Sequence, residues 1–225
     1  MSTLEVDIWS DVMCPWCAVG YASFARALAQ LGGELEVTAR FMPFELNPDL
    51  PPAGKPQAAH LAEVYGRTPE QVAAMAQSMA ETGRRAGFPM DYEGPGDPPP
   101  AMMWNTHAAH CLLRWTLAEA GPAAQARLKL ALFAAHFRQR RNMADRDVLL
   151  DIAAAEGFDR AAAAAALDDE ALSIAVRLEE QRGARAGITA VPTFVVNGRY
   201  VLEGAQEPEA FARALRQIAS IEAAA

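Results

Sequence analysis

Strand patterns occur only near the two ends of this chain, and the long middle has the pattern of helices. Leu4 to Ser10 has the short apolar run of a buried strand, and Leu35 to Phe44 has the pattern of a second one. Between them, Pro15 to Leu31 repeats apolar residues at helical spacing until Gly32 and Gly33 stop it. A strand, a helix and a strand in this order predict a right-handed unit with two parallel strands.

The C-terminal end carries a second compact pattern. Thr193 to Val196 and Arg199 to Leu202 are strand segments joined by the dipeptide Asn197-Gly198. Asn-Gly supplies the positive φ angles of a type I′ turn, so this segment predicts a two-residue hairpin. Pro208 to Ile218 then predicts a closing helix, which gives the order strand, strand, helix.

The middle of the chain is helical apart from two proline-rich breaks. Asn47 to Pro56 is predicted to be loop, and Gly94 to Pro100 an exposed linker. Thr68 caps a helix that runs to about Ala86. The remaining predicted helices are Asn105–Glu119, Pro122–Arg138, Asp145–Glu156, Ala161–Ala166 and Asp169–Ala186. The whole pattern predicts an α/β protein with a thioredoxin-like fold and a large α-helical insertion. The core would comprise residues 1–50 and 187–225, and the insertion residues 51–186.

The composition of the chain argues against several classes of function. The 225 residues are 52% hydrophobic and 21% charged, which is typical of one compact unit, and no stretch of about 18 apolar residues could span a membrane. The first residues include Glu5 and Asp7 where a secretory signal would need a basic segment, so we expect a cytoplasmic protein. A formal net charge of -8 argues against binding to nucleic acid or to anionic membranes.

Cys14 and Cys17 lie at the junction of the first strand and the first helix. The chain has three cysteines, too few for a disulfide scaffold, so a close pair is expected to do chemistry. If the helix begins at Pro15, the Cys14 sulfur meets the positive end of the helix dipole, which favours the thiolate and predicts a lowered pKa. Cys17 lies one turn further on, where it can attack a mixed disulfide formed by Cys14.

Two other interpretations of this pair remain. A zinc site would need about four ligands, which Cys111, His107 and His110 could complete. The position between a strand and a helix is instead the context of a redox pair, so we predict no metal. Inert buried cysteines are the second alternative, and the proline between Cys14 and Cys17 argues against it.

Ala190-Val191-Pro192-Thr193 stands directly before the hairpin strand, where thioredoxin-like proteins carry a cis proline that faces the two cysteines. We therefore predict a cis Val191–Pro192 bond close to the Cys14 sulfur, although cis is the minority state of such bonds. A bend there would present the Val191 backbone to an extended substrate.

Several motifs together resemble the FrnE-like branch of the DsbA family over essentially the whole chain. The resemblance rests on Asp11-Val12-Met13-Cys14-Pro15-Trp16-Cys17, Phe44-Glu45-Leu46-Asn47-Pro48, Asn105-Thr106-His107-Ala108-Ala109-His110, Gly187–Phe194 and Gly204-Ala205-Gln206. It implies a cytoplasmic dithiol/disulfide exchanger that acts on protein or small-molecule thiols and disulfides. It also implies no tightly bound cofactor, with glutathione as a candidate co-substrate and a homodimer as a candidate assembly.

The resemblance also nominates site residues. Cys14, Cys17 and Pro192 are the expected catalytic set. The substrate-binding candidates are Pro15, Trp16, Phe44, Asn47, Asn105, Val191, Thr193 and Gln206. Cys111 has no family role and is interpreted as a small buried residue, so we predict that exchange does not need it. Because Trp16 carries no positive charge, we expect a reduction potential between those of thioredoxin and DsbA.

Two rival functions remain. Kappa-class glutathione transferases and 2-hydroxychromene-2-carboxylate isomerases share this architecture, but they typically carry a lone serine at the Cys14 position. A resolving cysteine such as Cys17 would be of no use to them. The other rival is a non-enzymatic holdase that binds apolar peptides through Met75, Met79, Met102 and Met103, although methionines at helical spacing more often fill a core.

Overall fold

A computed structural model describes residues 3–224; Met1, Ser2 and Ala225, which the predicted core includes, lie outside the described residues. The strands of the main sheet are β1 (Thr3–Ser10), β2 (Glu36–Pro43), β5 (Thr193–Val196) and β6 (Tyr200–Glu203). They lie in the order β2-β1-β5-β6. β1 is parallel to β2, and the hairpin adds to the other side of β1 in antiparallel register. The predicted thioredoxin-like α/β fold is confirmed.

The register follows from apolar side chains that alternate along the strands. Val6 and Ile8 of β1 are buried and stand opposite Val196 and Phe194 of β5. The hairpin turn has φ angles of 51° at Asn197 and 64° at Gly198, as the Asn-Gly dipeptide predicts.

Helices α1 (Pro15–Leu31) and α8 (Pro208–Ala223) pack against this sheet through a cluster of aromatic rings. The ring of Phe24 lies 5.3 Å from that of Phe194 and 5.5 Å from that of Phe211. α1 ends at Leu31 because Gly32 adopts the left-handed conformation with φ 56°. The cysteine pair therefore sits on a helix that is anchored along its length.

The insertion is helical, as predicted, with one small addition. Lys55–Pro56, predicted to be loop, forms the two-residue strand β3, which pairs with β4 (Met102–Met103). A main-chain pairing this short leaves no alternation in the sequence, so periodicity could not predict it. The helices are α2 (Gln57–Tyr65), α3 (Pro69–Ala86), α4 (His107–Phe137), α5 (Arg146–Ala155), α6 (Arg160–Asp168) and α7 (Glu170–Arg185).

Helix α4 joins the insertion to the sheet. It contains a break at Gly121 (φ 78°, ψ -177°) followed by Pro122, which confirms the predicted division into two helical segments. Just beyond the break, the buried Gln125 side chain accepts a hydrogen bond from Phe41 N–H at 2.7 Å and donates to Phe41 C=O at 2.9 Å. It also donates to Leu113 C=O, before the break, at 3.2 Å. One amide thus covers the free edge of β2 and links both segments of α4.

The cysteines lie where the sheet meets the insertion. Val12 and Met13, directly before Cys14, are buried in the core of the helical insertion, whereas α1 packs on the sheet. Cys14 and Cys17 themselves belong to a third cluster, with Phe88, Phe133 and Phe137 from the insertion.

The predicted residue ranges of the two domains stay a prediction. Among the described helices, none has both the length and the apolar character needed to cross a membrane.

Candidate active site

Asp11 fixes the loop that carries Cys14. Its Oδ1 accepts a hydrogen bond from Met13 N–H at 3.2 Å, and its Oδ2 accepts one from Leu46 N–H at 2.7 Å. The Asp11 carbonyl accepts the Cys14 N–H at 3.2 Å. Burial raises the pKa of Asp11, but neighbouring His110, the Leu46 N–H and Lys129 outweigh burial, so the pKa is lowered. The loop is therefore held by a buried carboxylate.

Cys14 is the N-cap residue of α1, with Pro15 at the first helical position. Its Sγ lies 3.7 Å from the Val191 carbonyl oxygen, and the Val191–Pro192 peptide bond is cis. The predicted cis bond and its predicted closeness to the Cys14 sulfur are both confirmed. Gly20, one turn after Cys17, allows the approach of Pro192, because a Cβ at this position would lie 2.9 Å from Pro192 Cγ. Sequence reasoning missed this role of Gly20.

Both thiols are buried, with 4% of Cys14 and 1% of Cys17 exposed. The adjacent Cys17 thiol, together with burial, raises the pKa of Cys14 well above its ordinary value. Burial also raises the pKa of Cys17, but the adjacent Cys14 thiol, the charge of Lys129 and the Ser10 hydroxyl outweigh it and lower the pKa.

The predicted lowering of the Cys14 pKa is therefore wrong. That prediction considered only the helix dipole at Cys14. The neighbouring Cys17 thiol and burial act in the opposite direction and raise the Cys14 pKa, with a smaller contribution from the negative charge of Asp11.

Lys129, on the second segment of α4, was also missed. Its side chain is fully buried, and its Nζ donates to the Ser10 carbonyl at 3.2 Å. Burial lowers the pKa of Lys129 to about 8. The signal available in the sequence was a lysine inside the apolar run Leu128 to Leu132.

The predicted substrate-binding residues next to the thiols differ in their exposure to solvent. Trp16 is 48% exposed, whereas Pro15, Phe44 and Val191 are half-buried. Thr193 is buried, and its hydroxyl donates to the Ala190 carbonyl at 2.7 Å, which braces the bend before Pro192.

The three amide candidates make contacts within the chain. Asn105 donates to the Glu45 carboxylate at 3.1 Å and to the Pro48 carbonyl at 2.9 Å, so it holds the loop after β2 against the start of α4. Gln206 donates to the Glu203 carbonyl at 2.7 Å, and the Asn47 carbonyl accepts the Leu50 N–H. Their predicted contacts with substrate stay predictions.

The candidate zinc ligands lie in two separate places. His110 Nε2 lies 3.7 Å from Asp11 Oδ1, at the base of the cysteine loop. Cys111 Sγ instead lies 3.6 Å from His107 Nε2. The hydrogen bond with Cys111, followed by that with Glu45, raises the pKa of His107 to about 9.

Glu45, His107 and Glu180 bring three ligand atoms within 4.8 Å of one another. The Arg177 guanidinium donates to both carboxylates and supplies the positive charge that they attract. The carboxylates of this group of residues are therefore paired with a positive charge from the protein.

The methionine surface predicted for a holdase does not form as a whole. Met103 is buried in the core of the insertion, and Met79 packs against the cluster that contains the two cysteines. Met75 is exposed. Met103 lies on β4, which pairs with β3, a long-range contact that the spacing of methionines does not reveal.

Comparison with known proteins gives one family and several structures. The family described as "DSBA-like thioredoxin domain" matches residues 5–216. The crystal structure of a probable DsbA oxidoreductase, SCO1869 from Streptomyces coelicolor, is similar with a TM-score of 0.82 and 31% identity. That similarity covers 95% of this chain and 89% of the other.

Two further solved structures show the same fold at lower identity. The cytosolic disulfide reductase DsbM from Pseudomonas aeruginosa has a TM-score of 0.62 and 19% identity, over 96% of this chain and 99% of its own. A 2-hydroxychromene-2-carboxylate isomerase has a TM-score of 0.63 and 17% identity, over 96% and 98%. At such identities the likeness concerns the fold alone.

Proposed function

Because the chain belongs to the DsbA-like thioredoxin-domain family, we propose that it is a thiol–disulfide oxidoreductase in which Cys14 attacks and Cys17 resolves. One observation carries the proposal. The Cys14 sulfur lies 3.7 Å from the Val191 carbonyl oxygen, at the start of a helix that also carries Cys17 and beside a cis proline. Of the two cysteines, Cys14 is the one at the N-terminus of the helix, which favours it as the attacking thiol.

Exchange proceeds in two steps. Cys14 loses its proton to solvent, and the Cys14 thiolate attacks a substrate disulfide. A bond forms between Cys14 Sγ and one substrate sulfur, the substrate S–S bond breaks, and the other substrate sulfur leaves as a thiolate that takes up a proton.

In the second step Cys17 loses its proton and attacks Cys14 Sγ. The intramolecular disulfide forms and the second substrate thiolate leaves, again taking up a proton. Two electrons have then passed from the dithiol to the substrate, and an external thiol such as glutathione returns them. The reverse sequence oxidises a substrate dithiol.

The substrate class is thiols and disulfides of proteins or small molecules. Trp16 gives an exposed apolar surface beside the buried sulfurs, which suits an extended peptide or the carbon skeleton of a small disulfide. The solved structure of DsbM includes a complex with GSH, which supports glutathione as a co-substrate here. A cytoplasmic location, where thiols stay reduced, fits a pair that rests as a dithiol.

Trapping tests the proposal. In a Cys17→Ser variant, Cys14 should stay joined to its substrate, and mass spectrometry after incubation with glutathione disulfide should find one glutathione on Cys14. The wild type under the same conditions should instead form a Cys14–Cys17 disulfide. Cys111→Ser is the matched control and should behave as the wild type, since we place Cys111 outside the reaction. Absence of any reversible Cys14–Cys17 disulfide contradicts the proposal.

The alternative is a glutathione-dependent isomerase or transferase, which the shared fold of the 2-hydroxychromene-2-carboxylate isomerase favours. The two functions differ in what they require of Cys17. An isomerase would turn over without changing the redox state of either cysteine, and Cys17→Ser would retain its activity. An exchanger would lose turnover in that variant while still forming the mixed disulfide.

A further inference from the structure

The main sheet has a second face, opposite the one on which α1 and α8 pack. Val6 and Ile8 of β1 point towards α1 and α8, so Asp7 and Trp9, their neighbours along the strand, point the other way. Helix α7 crosses this second face at Trp9, where Gly183 leaves room for the indole ring, because a Cβ at Gly183 would overlap it. The alternation along the paired strands brings six side chains to this face, which are Asp7, Trp9, Arg40, Met42, Val195 and Val201.

This second face forms the floor of a cleft of about 770 Å³, which α4 and α7 border. The volume lies within the range of about 300–1,000 Å³ that is usual for small-molecule sites. Trp9 and Val195 give the floor an apolar surface, and Val201 is 51% exposed there. The cleft is therefore large enough and apolar enough for the body of a small ligand.

The charged residues that line the cleft are mostly basic, although the whole chain carries a formal net charge of -8. Within residues 3–224, they comprise four guanidinium groups and two carboxylates, which belong to Arg40, Arg114, Arg182, Arg199, Asp7 and Glu179. Four positive and two negative charges leave a local excess of two positive charges. An anion is therefore the kind of ligand that the charge of the cleft favours.

The two carboxylates of the cleft are each held closely by one arginine. Asp7 Oδ1 accepts a hydrogen bond from Arg40 Nε at 2.5 Å. Glu179 Oε1 accepts one from Arg114 Nε at 2.8 Å, and the Glu179 side chain is only 9% exposed. These two ion pairs account for both negative charges of the cleft.

Arg182, on α7, and Arg199, in the hairpin turn, make longer contacts. Arg182 Nη2 lies 3.6 Å from the same Glu179 oxygen that Arg114 already holds. Arg199 Nη1 lies 3.8 Å from Glu222, which belongs to α8 and does not line the cleft. Both arginine side chains are 69% exposed, so each guanidinium can turn towards an anion in the cleft.

We propose that this cleft binds a small organic anion, with a carboxylate or sulfonate group held by Arg182 and Arg199 and a flat apolar body laid against the sheet. Guanidinium groups form charge-assisted hydrogen bonds with such acidic groups. Contact of the apolar body with the exposed Val201 removes the surfaces of both from water. The cleft lies on the sheet face opposite α1, which carries both cysteines, so the inference goes beyond the proposed exchange function and does not depend on it.

Naphthalene-2-sulfonate is a suitable probe, and 2-naphthalenemethanol is its neutral counterpart. In a titration followed by amide NMR, naphthalene-2-sulfonate should shift the signals of β5, β6 and α7, with a Kd of about 1 mM or lower. The neutral compound should bind about tenfold more weakly, because it cannot pair with the guanidinium groups. Equal affinity for the two compounds overturns the inference, and so do shifts that centre on Trp16 and the cysteines.

Substitution tests the role of the two arginines. The double variant Arg182→Gln/Arg199→Gln should bind naphthalene-2-sulfonate about tenfold more weakly and 2-naphthalenemethanol as the wild type does. Each single variant should show about a threefold loss, which provides the same test if the double variant is unstable. Arg67→Gln is the matched control, because Arg67 is exposed between α2 and α3, and it should bind both compounds like the wild type. Unchanged affinity for the sulfonate in the arginine variants overturns the inference.

Sedimentation distinguishes a ligand site from an interface between two copies of the chain. A monomer that binds naphthalene-2-sulfonate at the cleft supports the inference. A dimer whose hairpin amides are protected from exchange and do not respond to the sulfonate overturns it, because a second copy would then fill the cleft. Absence of a reversible Cys14–Cys17 disulfide contradicts the proposed function and leaves this inference intact.

Discussion

The Cys14 and Cys17 thiols are buried next to each other, and the pKa of each depends on the other. Once one thiolate has formed, the second negative charge must form beside it. The apparent pKa values of such a pair are properties of both groups together. The helix N-terminus acts on this unit as one contribution among several.

This coupling gives the first prediction. In a Cys111→Ala background, thiolate absorbance of the reduced protein should rise in two well-separated steps as pH increases, one below and one above the ordinary range of a thiol. Cys17→Ala removes the neighbouring thiol that raises the Cys14 pKa, so a single step should remain, and its pKa should lie below the upper step of the dithiol. Two overlapping steps in the dithiol protein would show that the sulfurs titrate independently.

Gly20 provides the second prediction. In Gly20→Ala the new Cβ would lie 2.9 Å from Pro192 Cγ and 3.4 Å from Ala205 Cα, so Pro192 must move away from the cysteines. Overpacking of this kind costs about 1–3 kcal/mol. We expect a lower free energy of unfolding in urea and slower exchange with glutathione disulfide.

A matched control separates packing from helix propensity. Ala25 lies on the same helix and is exposed. Ala25→Gly should destabilise the protein by about 1 kcal/mol through propensity alone, and it should leave the exchange rate unchanged. If Gly20→Ala stabilises the protein by a similar amount, the close approach of Pro192 does not constrain this position.

At the scale of elements, local signals predicted most of the secondary structure. The glycine after Leu31, the Thr68 cap and the Asn197-Gly198 turn each act within a few residues, and the elements they delimit appear as predicted. The contacts that join those elements act over long sequence separations. Gln125 bonds to Phe41, 84 residues away, and no periodicity in either segment indicates this.

The Gln125 bridge carries the third prediction. Gln125→Leu keeps the volume but leaves the N–H and C=O of Phe41, on the free edge of β2, without their partner. Each unpaired buried group costs about 1–3 kcal/mol, so we expect a loss of about 3 kcal/mol or more in the free energy of unfolding. Urea denaturation measures it.

Gln30→Leu is the control for Gln125→Leu, because the Gln30 amide bonds to Glu209 at the surface. It should change stability by at most about 0.5 kcal/mol. Equal losses in the two variants would mean that the buried bridge contributes no more than a surface amide.

At the scale of the whole molecule, polar residues are buried where the core and the insertion meet. Asp11, His110, Lys129 and His136 are all buried, and the last three lie on helix α4. The sequence predicted the two cysteines and Pro192, because their spacing and flanking residues are local. It did not predict the charges behind them, because burial of a lysine or a histidine depends on which surfaces meet.

His136 makes stability depend on pH in a defined direction. Its ring is buried next to Phe137, and in the part of the chain that the structure describes neither ring nitrogen has a hydrogen-bond partner. Burial, followed by the charge of Arg140, lowers the pKa of His136 to about 3. In the unfolded chain the pKa is about 6.5. Between these values the unfolded state binds more protons, so the free energy of unfolding falls as pH is lowered from about 6.5 towards 3.

Replacement of His136 should therefore flatten the acid side of the stability profile. The pKa of His107 is raised to about 9, so its contribution to stability is lost as pH rises from about 6.5 to 9. That range lies above the one in which His136 acts, so His107 does not obscure the effect of His136. Between about pH 7 and pH 4.5, the wild type should lose about 2–3 kcal/mol more than His136→Leu, measured by urea denaturation at each pH. Any packing cost of the leucine separates the two curves by a constant amount and leaves this difference intact. Parallel curves for the two proteins would show that His136 takes up its proton in the folded state as readily as in the unfolded chain.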